Sequence, residues 1–201
     1  MVKAAENGHL HVVKWLHENR SQQQPTKAMD TAAKSGYLDI VNGYMRIVTK
    51  VAQHTMDQAA GGGHFDVVKW FHENRDEGCT WYAINSATAN SHFDVVKFLL
   101  ENRGEGYTRH CMHLAAAYGH LDVIKILHVH DVEANTTRML RYAIAYNHLD
   151  VVKWLLKNRP EECTTISLGL ANGFMQTDKW VILTECFSYM LIEAKGVQAE
   201  L

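Results

Sequence analysis

One nine-residue phrase recurs along the 201 residues, and that recurrence constrains the fold more than any other feature. Its clearest copy is Gly119-His-Leu-Asp-Val-Ile-Lys-Ile-Leu127. Close versions are Gly8-His-Leu-His-Val-Val-Lys-Trp-Leu16, Gly36-Tyr-Leu-Asp-Ile-Val41, Gly63-His-Phe-Asp-Val-Val-Lys-Trp-Phe71, Ser91-His-Phe-Asp-Val-Val-Lys-Phe-Leu99 and Asn147-His-Leu-Asp-Val-Val-Lys-Trp-Leu155. Their first residues stand at 8, 36, 63, 91, 119 and 147, so the steps are 28, 27, 28, 28 and 28. A fixed period of this length means that each copy is one small structural unit. Such a unit cannot bury its apolar side alone and must stack on its neighbours.

Each period reads as two helices around a turn. The first is short and apolar, as in Met29-Asp-Thr-Ala-Ala33 or Met56-Asp-Gln-Ala-Ala60, and its alanines let a neighbouring helix approach closely. The turn carries Gly8, Gly36, Gly63 or Gly119, with Ser91 and Asn147 as substitutes; a backbone at positive φ favours these types, glycine above all. The second helix opens with Asp39, Asp66, Asp94, Asp122 or Asp150 in its first turn, where negative charge suits the helix dipole. Val67, Val68 and Phe71 share one face and belong to the core, with His72 beside them, while Lys69 points outward towards Asp66 or Glu73. Asn19, Asn74, Asn102 and Asn158 stand where that helix ends. Copy two is the weakest: Asn42-Gly43 replace Lys-Trp, and a helical glycine costs about 1 kcal/mol relative to alanine. The following loop, Ile47–Val51, is unusually apolar, and local opening is expected around residues 36–55.

Composition narrows the rest. Only two prolines and 13 glycines fit long helices broken by short turns. Twenty basic against 22 acidic residues give a net charge of −2, so no general basic field exists to attract nucleic acid. No apolar run reaches the roughly 18 residues of a membrane span, and the N-terminal residues lack an apolar signal core. Cysteines at 79, 111, 163 and 186 form no CxxC pair and read as reduced thiols. An intracellular, cytoplasmic protein without membrane or nucleic-acid partners is expected.

Cys111-Met-His-Leu-Ala-Ala-Ala-Tyr-Gly-His-Leu-Asp-Val-Ile-Lys-Ile-Leu127 resembles the ankyrin repeat, whose pattern is close to TPLHxAAxxGHLDVVKLLL. The resemblance covers about residues 1–172 and implies an all-α, ankyrin-like solenoid of stacked antiparallel helix pairs. Six copies are expected, the first truncated, with the start of a seventh at Thr165–Gly173; residues 173–201 would form a capping helix and tail. The family's usual period is about 33 residues, so the shortfall falls in the inter-repeat loops and implies blunted hairpins. The family's TPLH turn is also eroded. His113 alone keeps the histidine, whereas Asp30, Asp57, Asn85 and Arg141 fill that place elsewhere, so the residues that usually stiffen the first helix are replaced. Met1 falls inside the first helix of copy one, which admits an alternative: a module of a larger multi-repeat protein whose activity lies outside this chain.

Several columns invite a chemical reading. His9, His64, His92, His120 and His148 share one place, but equivalent residues on stacked helices lie about 8–10 Å apart, while zinc ligands sit about 2 Å from the metal. These are expected to be turn histidines bonding backbone groups. His110, Cys111 and His113 cluster locally without a fourth ligand, so no metal is expected. Trp15, Trp70, Trp154 and Trp180, continued by Phe98 and Ile126, read as packing between successive copies, with an exposed stripe for a partner as the competing possibility. Arg20, Arg75, Arg103 and Arg159 read as ligands of helix-end carbonyls and loop acids, with a ladder holding an acidic partner as the competing possibility. No P-loop, GxSxG or HExxH is present, so neither catalysis nor a cofactor is expected.

Specificity must then lie where the repeat leaves residues unconstrained. Ten places before the turn residue stand Thr26, Gln53, Trp81, Arg109 and Thr137; just before it stand pairs such as Ala89-Asn90, Ala117-Tyr118 and Ala145-Tyr146. The resemblance implies that these positions line a concave binding surface. A patch of Trp81, Asn90, Arg109, Tyr118 and Tyr146 is the expected contact with a partner protein, since such aromatic and arginine side chains dominate interface energetics. The expected function is a monomeric, non-catalytic protein-interaction scaffold.

Overall fold

The computed structural model describes residues 1–19, 24–45, 52–103, 108–130 and 135–159. The expected seventh first helix, the capping helix of 173–201, Trp180, Arg20, the apolar loop at 47–51, Cys163 and Cys186 lie outside the described residues.

Twelve α-helices, and no strands, occupy the described residues, arranged as six consecutive pairs. They are α1 Val2–Glu6 with α2 Leu10–Asn19, α3 Pro25–Lys34 with α4 Leu38–Met45, and α5 Ala52–Gly62 with α6 Phe65–Asn74. Then follow α7 Trp81–Ala89 with α8 Phe93–Asn102, α9 Arg109–Tyr118 with α10 Leu121–Val129, and α11 Thr136–Ala145 with α12 Leu149–Asn158. This is the all-α repeat fold implied by the sequence period. Two compact units divide the chain, Met1–Cys111 and Met112–Leu201. In the first unit, α1, α3, α5 and α7 pack in a row, and the second helices meet as α2 with α4 and α6 with α8. In the second unit, α11 packs against α12.

The turn between paired helices explains its own sequence. At the end of α5, the Gly63 N–H bonds the Ala60 carbonyl at 3.1 Å and the His64 N–H bonds the Ala59 carbonyl at 3.0 Å. These are the two bonds of a Schellman motif, which needs a left-handed residue between them. Gly63 supplies it with φ +76°, and a Cβ there would overlap the His92 ring of the next copy. Ser91 and Asn147 adopt the same region at φ 61° and 67°. Glycine is therefore favoured both by backbone conformation and by a ring seated against it.

The apolar stripes close as expected. Val67, Val68 and Phe71 are buried, as are Val95, Val96 and Leu99, Val123, Ile124 and Leu127, and Val151, Val152 and Leu155. Opposite them the first helices bury small and flexible residues: Ala28, Met29, Ala32 and Ala33 on α3, and Met56, Ala59 and Ala60 on α5. Alanine at these places permits the close row of first helices. Asp39, Asp66, Asp94, Asp122 and Asp150 fall in the first turns of their helices. Asn19, Asn74, Asn102 and Asn158 end theirs, each side-chain amide donating to the carbonyl four residues back at 2.8–2.9 Å. The asparagine thus satisfies one of the carbonyls that a helix end leaves open.

The eroded TPLH place carries a replacement network in the first unit. The Thr55 hydroxyl donates to Asp30 at 2.6 Å. Asp57 accepts from both the Thr80 backbone N–H at 2.8 Å and the Thr80 hydroxyl at 2.6 Å. Asn85 donates to the Thr108 hydroxyl at 3.5 Å. Each bond ties one copy to the next, so an acid or amide takes over a cross-link where histidine is missing. Copy two is helical through Gly43, with Ile40, Val41 and Tyr44 buried.

Candidate functional site

The five residues singled out in the sequence are all exposed, and they fall in two units. Trp81, Asn90 and Arg109 belong to the first. Trp81 opens α7 with its ring edge-on to Tyr82 at 6.0 Å, both rings facing solvent. Asn90 is partly committed to structure, its amide donating to the Gly61 carbonyl at 2.9 Å. Tyr118 and Tyr146 belong to the second unit. Tyr118 ends α9 and stacks on His120 at 6.0 Å and 15°. Tyr146 follows α11. Their fractional exposures, 53% for Trp81, 55% for Tyr118 and 61% for Tyr146, are high for rings of this size.

The other columns sort by geometry. His64 Nε2 lies 2.8 Å from the Lys34 carbonyl, and His148 Nε2 lies 2.9 Å from the Ala117 carbonyl, as turn histidines tying one copy to the one before. The aromatic column is interleaved between copies. Phe98 stands edge-on to Phe65 at 5.3 Å and to His72 at 5.2 Å; Trp154 stands edge-on to His128 at 5.3 Å. Trp15, by contrast, is mostly exposed.

The arginine column does more than bond carbonyls and loop acids. Arg75 pairs with the loop acid Glu77, and this bond holds the Glu77 carboxyl below its usual range. Arg103 donates to the Arg75 carbonyl at 3.2 Å and to His72 Nδ1 at 2.9 Å. Arg159 lies 3.2 Å from His128 Nδ1. The histidine acceptors were not foreseen, although a histidine at the ninth residue after Gly63 and Gly119 was visible in the sequence.

His110, Cys111 and His113 do not converge: Cys111 and His113 are buried, while His110 is exposed. Among the described residues, no three histidine, cysteine or carboxylate side chains gather at metal-binding range. Asp57 is the buried carboxylate of note; burial pushes its pKa up, against the pull of the Thr80 hydrogen bonds and the nearby His54.

A second feature lies on α11 and was missed in the sequence. A groove of about 490 Å³ is lined by Asn135, Thr137, Arg138, Arg141, Tyr142 and Ala145. Arg138 lies 5.7 Å from the Tyr142 ring centroid and donates to its hydroxyl at 3.3 Å. On the other side His113 approaches the same ring at 6.5 Å. The available signal was the place nine residues before each turn. It reads Lys27, His54, Tyr82, His110 and Arg138, varies as freely as its neighbour, and is exposed in every copy.

Stacked helix pairs with a Schellman turn and a variable exposed first-helix edge define a helical repeat protein. A family profile described as ankyrin repeats in three copies matches residues 56–137 and 105–166, more than half of the chain. The chain belongs to the ankyrin repeat family, whose members are generally protein–protein interaction modules. A search of curated proteins found no match. No described helix is long and apolar enough to cross a membrane.

Proposed function

We propose that this chain is a non-catalytic, cytoplasmic scaffold that binds another protein through the exposed face of its first helices, as a monomer and without a cofactor. The observation that carries this reading is the exposure of Trp81, Tyr82, Tyr118 and Tyr146 on or beside α7, α9 and α11. Rings of this size lose favourable burial when left in water, about 25 cal/mol for each Å² of apolar surface. They regain it when a partner covers them. The second helices instead lay Phe98 and Trp154 against the preceding copy. In each unit the exposed rings of the first helices support this reading.

The test is affinity capture from lysate of the source cells with three baits of equal helicity. These are the wild-type chain, Tyr118→Ala/Tyr146→Ala, and an outer-face control, Lys97→Ala/Lys125→Ala. A protein held by wild type and the control but lost by the tyrosine variant supports the reading. Loss by the lysine control alone would move the site to the second helices and defeat it.

A further inference from the structure

We infer that the groove on α11 receives an acidic segment of the partner protein, with Arg138 and Arg141 pairing its carboxylates. This rests on the reading of the chain as a binding module and adds the chemistry of what it binds. Arg138 and Arg141 stand three residues apart on one exposed helical face and line the same groove. Among the described residues neither guanidinium is in an ion pair. The contacts of Arg138 with Tyr142 hold its guanidinium over the ring, which limits the freedom it would lose on binding.

The described first helices of these copies carry charge of one sign only. Helices α7, α9 and α11 contain no Asp or Glu, yet they contain Arg109, Arg138 and Arg141. Among the described residues from Trp81 onward, the acids Asp94, Glu101, Asp122 and Asp150 all lie on the second helices α8, α10 and α12; the sequence places further acids, Asp131 and Glu133 among them, in the loops between copies. This segregation occurs in a chain whose net charge is −2, so it is not a consequence of bulk composition. Arg141 also breaks a pattern. Asp30, Asp57 and Asn85 occupy its place in earlier copies and are tied by threonines to the next copy. Arg141 is exposed and makes no such bond among the described residues. Two planar guanidiniums beside a tyrosine suit carboxylates, which they can engage through paired N–H donors. A nucleic acid would call for a longer basic stripe along its backbone.

The test is fluorescence anisotropy with three labelled probes: decaglutamate, decalysine and decauridylate. The proteins are the full chain and Arg138→Gln/Arg141→Gln, an exposed double substitution checked for unchanged helicity. Decaglutamate is expected to bind the wild type saturably and to weaken as salt rises. The double variant should bind it about tenfold more weakly or worse. Decalysine should not bind. Absence of saturable decaglutamate binding, or equal binding by the variant, overturns the inference. Tighter, arginine-dependent binding of decauridylate would reassign the groove to nucleic acid. The inference fails separately from the function above if a captured partner is lost by Tyr118→Ala/Tyr146→Ala but held undiminished by Arg138→Gln/Arg141→Gln.

Discussion

Arg103 donates from Nε to Nδ1 of His72 across 2.9 Å, joining the end of one repeat to the second helix of the repeat before it. The second unit repeats the motif, with Arg159 at 3.2 Å from Nδ1 of His128. A guanidinium can only donate, so Nδ1 of each ring carries a lone pair. Each histidine also stands edge-on to an aromatic ring of the later repeat, Phe98 or Trp154. The histidine, the ring and the arginine therefore form one clasp between copies. A double-mutant cycle on Arg103→Ala and His72→Ala, followed by urea unfolding, should give a coupling of about 0.5–1.5 kcal/mol. Strict additivity would mean that the clasp adds nothing to the separate contacts.

Asp57 is a buried carboxylate whose pKa is raised by desolvation. A folded-state pKa above the unfolded one gives stability that is present at low pH and lost as pH rises through the folded value. Asp57→Asn abolishes that loss while keeping both bonds, because an amide can accept from the Thr80 N–H and donate to its hydroxyl. Asn85 already makes the second kind of bond to Thr108. The stability of Asp57→Asn relative to wild type should therefore increase from pH 3 to pH 7. Asp57→Ala should cost about 1–3 kcal/mol, since it leaves the half-buried Thr80 donors without their acceptor. Chemical denaturation across that pH range checks both, and a falling difference would contradict the sign.

The turn place makes opposite predictions for two copies. Gly63→Ala combines a left-handed alanine with a Cβ driven into the His92 ring, and should cost about 1–2 kcal/mol or more. Asn147→Gly relieves the left-handed strain at φ 67° and should be neutral or stabilising by less than about 1 kcal/mol. Thermal unfolding of the two variants would show shifts of opposite sign or one large loss against no change.

Gly43 is helical with open space beside it: a Cβ there would find Leu10 Cδ1 at 4.0 Å, an ordinary contact. Gly43→Ala should stabilise the chain by about 0.5–1 kcal/mol. In hydrogen exchange, wild-type amides of Leu38–Met45 should open before those of Leu121–Val129, and the alanine variant should narrow the gap. Equal protection in the wild type would remove the case for copy two as the weak point.

Much of the fold was legible because it is periodic. The valine or isoleucine pair after each of these Asp residues, the alanines of α3 and α5 and the left-handed turn each repeat, and repetition averages out local ambiguity. What single-sequence reading missed lies where one copy departs from the others. Asp30 and Asp57 looked like erosion of a histidine place, and only their threonine partners one repeat later reveal a substitute cross-link. His72 and Arg103 are 31 residues apart, so their bond belongs to no local pattern. The exposed aromatics were found from the variable column before each turn. The Arg138–Tyr142 groove was missed because Arg138 sits one place over from the column that was read, and Arg141 fills a place that looked merely eroded.

The central claim is that the first-helix face binds a partner protein. Isothermal titration of the captured partner into the wild type, Tyr118→Ala/Tyr146→Ala and Lys97→Ala/Lys125→Ala tests it most directly. Rings that anchor an interface typically cost 2 kcal/mol or more when truncated, so the tyrosine variant should lose about thirtyfold or more in affinity. The lysine variant should stay within about threefold of wild type. A partner bound equally by the tyrosine variant and wild type, with the loss falling on the lysine pair, would contradict the account.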